Sequence, residues 1–166
     1  MKNIFQTSGF LIVAICFSVF IGAAHHNDLL KDAVNNSERN IKYSARDNYR
    51  NPYETLSFFE IKPSMNVLEL SAGGGWYTEI LAPYLKEKGK LSVTHHNAAN
   101  GGYYKRSREA YDKKVASNPL FSGVTVITAE TPPSEAFTKP ETQDLVVTFR
   151  NLHNWLARDA MKQVMQ

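Results

Sequence analysis

The segment that decides the fold of this chain is Val67-Leu68-Glu69-Leu70-Ser71-Ala72-Gly73-Gly74-Gly75-Trp76-Tyr77-Thr78-Glu79-Ile80-Leu81. An apolar run carries an acid near its end, a glycine-rich turn follows, and apolar residues at helical spacing begin at Trp76. This order predicts a strand, a tight turn and a helix, which together bring backbone N–H groups against a bound ligand. Three consecutive glycines carry no Cβ atom that would prevent a close approach. The segment therefore predicts a ligand-binding loop, and a glycine-rich surface turn is the alternative.

Two common glycine-rich motifs do not fit this loop. A P-loop ends in Gly-Lys followed by Ser or Thr, whereas Trp76 and Tyr77 follow the glycines here. The dinucleotide motif G-x-G-x-x-G, started at Gly73, would place its last glycine at Thr78. A P-loop nucleotide site is therefore not expected, and a nicotinamide-dependent oxidoreductase is a less favoured alternative.

Residues 1–24 are typical of a secretory signal peptide. Lys2 supplies the positive charge, and Phe10 to Ile21 form a twelve-residue apolar run. Gly22-Ala23-Ala24 offers small residues for cleavage after Ala24. The run is shorter than the roughly 20 apolar residues of a membrane span. We expect an exported protein, periplasmic or secreted, with no stable membrane span after cleavage, and a retained N-terminal anchor is the alternative.

Charge and cysteine content bear on the partners of the protein. The 166 residues carry a formal net charge of +3, and cleavage after Ala24 would remove one positive charge and the only cysteine, Cys16. So mild a charge does not indicate a nucleic acid or an anionic membrane as partner.

His95 and His96 are adjacent and would point to opposite faces of a strand, so no metal site is expected. The expected partner is a small-molecule substrate, which the sequence does not identify.

Strands alternate with helices along the rest of the chain. Residues 28–49 predict surface helices, and Asn51-Pro52 predicts a helix start with Asn51 as the cap. Four strands are expected, at Asn66–Leu70, Leu91–Thr94, Gly123–Thr128 and Asp144–Phe149. Further helices are expected at about Trp76–Leu85, at Tyr104–Ser117 and from near Trp155 to the chain end. This alternation predicts an α/β fold with a parallel sheet, helices on both of its faces and additional N-terminal helices.

The loop resembles motif I of the class I S-adenosylmethionine-dependent methyltransferases, in which an acid at the end of a strand is followed by spaced glycines. Glu69 takes the position of the acid, and Gly73 and Gly75 take those of the last two glycines. Ser71 stands where the first glycine is expected, which departs from the pattern.

A longer resemblance, from about Arg46 to Trp155, is to the predicted exported methyltransferases of bacteria. It is carried by the motif I loop and by Arg50-Asn51-Pro52, Glu54-Thr55-Leu56 and Phe149-Arg150-Asn151-Leu152-His153-Asn154-Trp155. It implies a Rossmann-like fold, incomplete here at about four strands. The domain organisation that follows is a helical segment over 25–64 and a partial methyltransferase-like domain over 65–166. Because the chain stops inside a helical pattern without a closing strand, we expect it to be truncated at the C-terminus relative to that family.

The resemblance implies methyl transfer as the activity and S-adenosylmethionine as the cofactor. Glu69 and the three glycines Gly73, Gly74 and Gly75 would contact its methionine half and its ribose. Glu130, just after the third strand, matches the position whose acid meets the adenine amino group.

The second strand departs from the family pattern. His95 stands where the family has an acid that accepts both ribose hydroxyls. A neutral imidazole accepts only one hydrogen bond, so we expect weak cofactor binding. Asn151 and His153 follow the fourth strand and are the candidate catalytic residues on the substrate side, because the carboxyl ends of parallel strands face the ligand crevice.

A methyltransferase-fold protein that binds a ligand without catalysis is the alternative function. Ser71 and His95 favour it because both depart from the family pattern. Export favours it as well, since an external compartment has no obvious source of S-adenosylmethionine.

Overall fold

Four parallel strands form the sheet around which the chain is built. The computed structural model describes residues 28–130 and 133–165. The strands are β1 (Asn66–Leu70), β2 (Lys90–His96), β3 (Thr125–Ala129) and β4 (Leu145–Thr148), in the spatial order β3-β2-β1-β4. All three neighbouring pairs are parallel. The predicted four-stranded parallel α/β sheet is thus confirmed, whereas the predicted signal peptide lies outside the described residues.

Helices precede the sheet and connect its strands. The first of them, α1, is described over residues 28–34. The others are α2 (Ile41–Ser44), α3 (Asp47–Arg50), α4 (Pro52–Phe58), α5 (Thr78–Leu85), α6 (Gly102–Ser117), α7 (Leu152–Leu156) and α8 (Met161–Val164). Within the described ranges, no helix combines the length and the apolar character needed to cross a membrane.

Apolar side chains pack against both faces of the sheet. Successive residues of a strand point to opposite faces. Val67 of β1 lies in the larger cluster, together with buried residues of α4, α5 and α6. Leu68 and Leu70 lie in a second cluster with Trp155 and Ala160. Helices therefore cover both faces, as the sequence predicts.

Two details of the helix ends differ from the predictions. Pro52 is the first residue of α4, but the Asn51 side chain makes no capping hydrogen bond, because Asn51 is left-handed, with φ 44°, and also ends α3. A single final helix from Trp155 to the chain end was a wrong prediction. Helix α7 begins at Leu152 and ends at Leu156, before Asp159 turns left-handed with φ 53°. The Ala160 N–H then donates to the Trp155 carbonyl at 2.9 Å, which closes the helix and lets both residues pack under β1.

A buried ion pair holds the N-terminal helices together. The Arg39 guanidinium donates to both carboxylate oxygens of Asp47, at 2.7 and 3.0 Å, and to the Val34 carbonyl oxygen. Glu79 of α5 joins these helices to the domain, because one of its oxygens accepts from the Asn40 N–H at 2.9 Å. The N-terminal segment is therefore docked against the start of α5 by charge as well as by apolar contact.

We predict that Asp47→Asn lowers the free energy of unfolding by about 3 kcal/mol, because it leaves a buried guanidinium without its carboxylate. The Arg39 side chain is 0% exposed and that of Asp47 21%. Urea denaturation measures the loss. The matched control is Glu109→Gln, which breaks an ion pair of 3.9 Å with Lys105 whose two side chains are each 59% exposed. It should cost less than about 0.5 kcal/mol, and equal losses for the two variants would contradict the assignment.

Candidate ligand-binding site

A cleft of about 440 Å³ opens where β1 and β4 end. Its volume lies within the roughly 300–1,000 Å³ of small-molecule sites, and the carboxyl ends of parallel strands are where α/β folds bind ligands. A wider depression of about 860 Å³ lies beside Phe137, on the side of the sheet to which Leu68 and Leu70 point, and the glycine loop is not part of its wall. We take the smaller cleft as the candidate site because the glycine loop forms part of its wall. It is lined by Lys42, Tyr43, Arg46, Arg50, Glu69, Ser71, Ala72, Gly73, Gly74, Trp76, Tyr77, Phe149, Arg150 and Asn151.

The loop between β1 and α5 turns through left-handed residues. Ser71, Gly73 and Gly75 have φ angles of 55°, 59° and 81°. Ser71 thus adopts the conformation that the glycine expected at its position would adopt without strain. A side chain there costs about 1–2 kcal/mol. The departure from motif I is therefore compatible with a left-handed turn at this position.

The three glycines differ in what surrounds them. A Cβ atom on Gly74 would lie 2.5 Å from the Tyr43 hydroxyl oxygen, and one on Gly75 would lie 3.1 Å from the Tyr111 ring. On Gly73 it would meet only the Ser71 carbonyl oxygen, at 4.0 Å. Gly74 and Gly75 are therefore needed for packing within the protein, whereas Gly73 has an open face toward which a ligand can approach.

Hydrogen bonds fix the loop from both sides. The Tyr43 hydroxyl of α2 donates to the Gly74 carbonyl at 3.0 Å, and Lys114 of α6 donates to the same carbonyl at 2.8 Å. The Trp76 indole N–H donates to the Tyr43 carbonyl at 2.9 Å. The loop is therefore held in place before any ligand binds.

His95 lies behind the loop and does not line the cleft. The residue is 3% exposed, and its Nε2 lies 3.0 Å from the Gly73 carbonyl oxygen. Because that oxygen can only accept, Nε2 carries the proton, and Nδ1 has no hydrogen-bond partner among the described residues. Burial lowers the pKa of His95, opposed by the bond to Gly73. This placement has His95 hold the loop from behind, and its contact with the ribose hydroxyls stays a prediction.

Glu69 lies at the base of the cleft. It is 3% exposed, and its Oε2 accepts from the Thr78 hydroxyl at 2.7 Å. That hydroxyl in turn accepts from the Tyr111 hydroxyl at 3.2 Å. Burial raises the pKa of Glu69 to about 7, against the lowering effect of the Thr78 hydrogen bond. Near neutral pH the carboxyl group is therefore poised between its two forms, and a cation in the cleft would favour the ionised one.

Glu130 is engaged away from the cleft. Its two oxygens accept from the side-chain amides of Asn97 and Asn100, at 2.6 and 2.8 Å. These hydrogen bonds lower the pKa of Glu130, the one from Asn100 more strongly. Glu130 thereby ties the end of β3 to the turn after β2. Its contact with an adenine amino group stays a prediction, for which each oxygen keeps a further lone pair.

The two candidate catalytic residues separate in the structure. Asn151 lines the cleft, and its amide nitrogen lies 2.9 Å from the Thr148 hydroxyl and 3.2 Å from the Ser71 carbonyl. These hydrogen bonds of the Asn151 amide join the end of β4 to the end of β1. His153 is exposed on α7 and does not line the cleft. The structure therefore brings Glu69, Gly73, Gly74 and Asn151 together, and it places His153, Gly75, His95 and Glu130 outside the cleft wall.

Four basic side chains that the sequence pattern does not single out line the same cleft: Lys42, Arg46, Arg50 and Arg150. The Arg50 guanidinium lies over the Trp76 ring, 4.5 Å from its centroid. Burial lowers the pKa of Arg50, and the charges of Arg46 and Arg150 lower it further. The only signal in the sequence was that Arg50 and Arg150 fall inside the segments that carry the family resemblance.

Two aromatic rings form a further part of the wall. Tyr77 and Phe149 stack with a centroid distance of 3.4 Å and an interplanar angle of 14°. They come from the start of α5 and the end of β4, so the stack joins the two elements that flank the cleft. Aromatic rings next to a row of cations give the site both an aromatic face and a charged face.

The chain has the fold of the class I S-adenosylmethionine-dependent methyltransferases. It superposes on a SAM-dependent methyltransferase from Aquifex aeolicus with a TM-score of 0.57 and 19% identity, covering 84% of this chain and 64% of that one. Lower similarity is found to a cyclopropane-fatty-acyl-phospholipid synthase-like protein from Lactobacillus casei (TM-score 0.45, 20% identity, 67% of this chain and 43% of that one). Cofactor-bound Rv0187 from MTB is similar at TM-score 0.45 and 17% identity, over 96% and 68% of the two chains.

No protein-family model and no curated protein matches the sequence. The chain spans 64% of the length of the Aquifex aeolicus methyltransferase. The similarity establishes the predicted fold, and the chemistry of the site is argued from its own residues.

We predict that Glu69 makes the protein less stable as pH rises from about 4.5 to about 7. Across this window the carboxyl group is ionised in the unfolded chain, at its ordinary pKa of 4.5, but protonated in the folded one, where its pKa is about 7. The unfolded state then binds fewer protons, so the free energy of unfolding falls by about 3 kcal/mol. Glu69→Gln should remove this contribution.

Urea denaturation at pH 4.5 and pH 8 tests this prediction. The wild type should lose about 3 kcal/mol more than Glu69→Gln between the two pH values. Glu109→Gln, a substitution on the exposed face of α6, should behave as the wild type does. Parallel pH dependence of wild type and Glu69→Gln would show that Glu69 is ionised at neutral pH in the folded protein.

Proposed function

We propose that this protein is an exported methyltransferase that binds S-adenosylmethionine beside the glycine loop and methylates a small molecule. The observation that carries the proposal is the open face of Gly73. It adjoins the cleft at the carboxyl ends of β1 and β4, above a buried acid of pKa about 7.

The residues of the cleft fit this cofactor. S-adenosylmethionine carries a sulfonium, an ammonium and a carboxylate, and when bound it supplies an activated methyl group. Glu69 can balance one of the two cationic groups by ionising, because an opposite charge nearby lowers a carboxyl pKa. The guanidinium of Arg50, which is part of the wall, can pair with the carboxylate. Gly73 leaves the space that a ligand needs at the loop.

The described residues contribute to methyl transfer by positioning. Holding two reactants in line supplies much of the rate of such a displacement. Asn151 fixes the ends of β1 and β4, while Tyr43 and Lys114 fix the loop. The Tyr77–Phe149 stack gives one side of the cleft a flat aromatic wall. Glu69, with its pKa near neutrality, is the cleft residue best able to take up a proton.

We predict that Gly73→Val weakens the binding of S-adenosylhomocysteine, the demethylated cofactor, by at least about tenfold, since its side chain would fill the approach to the loop. Titration calorimetry on the full chain measures the affinity. Gly123→Val is the matched control, because Gly123 also has a left-handed φ, of 83°, with nothing within 4 Å of a Cβ atom, and lies outside the cleft. It should bind within about twofold of the wild type.

Two other outcomes of these binding measurements would contradict the proposed function. Unchanged binding by Gly73→Val would place the cofactor site elsewhere. Binding without methyl transfer to any tested acceptor would support the non-catalytic alternative instead.

Export rests on the sequence of residues 1–24, with Lys2, the apolar run Phe10 to Ile21 and the small residues before His25. We predict that the protein isolated from its native host begins at His25 or within a few residues of it, because signal peptidase cleaves after small residues. Mass spectrometry of the intact protein reads the N-terminus directly. An intact Met1 on a soluble cytoplasmic species would contradict export.

A further inference from the structure

We propose that the methyl acceptor is an anion, a small molecule with a carboxylate or phosphate group, and that Lys42, Arg46 and Arg150 bind that group beside Arg50. The inference rests on the proposed function and adds to it the chemical class of the substrate. It is carried by a convergence of positive charge in the cleft that nothing in the described structure neutralises.

The four cations come from two separate parts of the fold. Lys42, Arg46 and Arg50 follow one another at intervals of four residues along the α2–α3 segment, whereas Arg150 extends from the end of β4. All four line the one cleft. Arg46 and Arg150 are close enough to Arg50 to lower its pKa, after the larger effect of burial. The fold thus concentrates like charges, which repel one another unless a ligand of opposite charge is bound.

The acids nearby have other partners. Asp47 is paired with Arg39 at 2.7 Å, and Glu79 with Lys114 at 3.1 Å. Glu69 is buried with a pKa of about 7, so it contributes only part of a negative charge. Over residues 28–130 and 133–165, no carboxylate oxygen lies within 4.0 Å of a charged nitrogen of the four cations.

Arg50 carries an unused hydrogen-bond donor. Its Nε atom is buried without a partner in the described part of the chain. That atom is closed to a ligand in the cleft, so a carboxylate or phosphate would bind through the two terminal nitrogens, whose planar arrangement suits two oxygens. The guanidinium lies over the Trp76 ring, with its central carbon 4.5 Å from the ring centroid.

The cofactor alone cannot supply the missing negative charge. Its sulfonium and ammonium are positive and only its carboxylate is negative, so its binding adds one net positive charge to the cleft. The carboxylate can occupy the Arg50 guanidinium in a bidentate pair. The other cations are left for the second reactant, whose encounter with the cleft they also accelerate by electrostatic attraction.

Titration calorimetry on the full chain tests this with two probes, inorganic phosphate and S-adenosylhomocysteine. The variant is Arg46→Gln combined with Arg150→Gln; both side chains are exposed, so the fold should persist, which circular dichroism verifies. We expect the double variant to bind phosphate at least about tenfold more weakly than the wild type, because two charge-assisted contacts are lost. Its affinity for S-adenosylhomocysteine should stay within about twofold.

The matched control is Arg106→Gln, since Arg106 is exposed on α6 and does not line the cleft. It should leave the binding of both probes unchanged. An equal loss in Arg106→Gln would overturn the proposal, because phosphate would then be responding to the net charge of the protein and not to the cleft.

The two probes separate failure of this inference from failure of the proposed function. If the double variant loses S-adenosylhomocysteine as strongly as phosphate, the arginines hold the carboxylate of the cofactor, and the acceptor assignment is overturned. If the wild type binds S-adenosylhomocysteine but not phosphate, the inference fails and the proposed function stands. If the wild type binds phosphate but not S-adenosylhomocysteine, the proposed function fails and the acceptor assignment fails with it.

Discussion

The turn between β1 and α5 reverses the chain through left-handed residues at Ser71, Gly73 and Gly75. Such a turn exposes its carbonyl groups, and the surrounding structure is arranged to satisfy them. His95 of β2 holds the Gly73 carbonyl, while Tyr43 and Lys114 share that of Gly74. The second strand, the N-terminal helices and α6 therefore each contribute a side chain that holds one short loop.

Positive charge dominates the wall of the cleft next to that loop. The acids that could neutralise the cleft are committed to interactions that hold the fold together, namely Asp47 with Arg39 and Glu79 with Asn40 and Lys114. The cations of the wall are left to face one another. An uncompensated cluster of cations next to a glycine loop favours a ligand-binding surface over a random feature of composition.

The parts of the fold that could be predicted are those determined by local sequence. The run from Val67 to Leu81 contains its own strand, turn and helix signals, and the strand and helix it predicted are present. His95 and His96 point to opposite sides of the sheet because successive residues of a strand alternate. Which of these two histidines points into the protein interior depends on how β2 pairs with β1 and β3.

The features that the sequence did not predict depend on contacts between residues that are distant in the chain, or on backbone conformations that the residue type does not determine. Arg50 and Arg150 are a hundred residues apart in the chain and share a cleft only because β4 lies next to β1. Asn51 and Asp159 adopt left-handed conformations that end helices, where the pattern of apolar residues gives no warning. The exposure of His153 has the same origin, since Trp155 is the residue of α7 that packs under the sheet.

The α2–α3 segment forms one whole side of the cleft, while the glycine loop and the end of β4 form the other. A small helical segment docked on a larger domain opens locally more often than the core unfolds. Whatever occupies the cleft therefore bridges two units of unequal stability, and its release can follow the undocking of those helices. Hydrogen exchange at α2 and α3 would then slow on occupation of the cleft, which makes their protection a measure of ligand residence time.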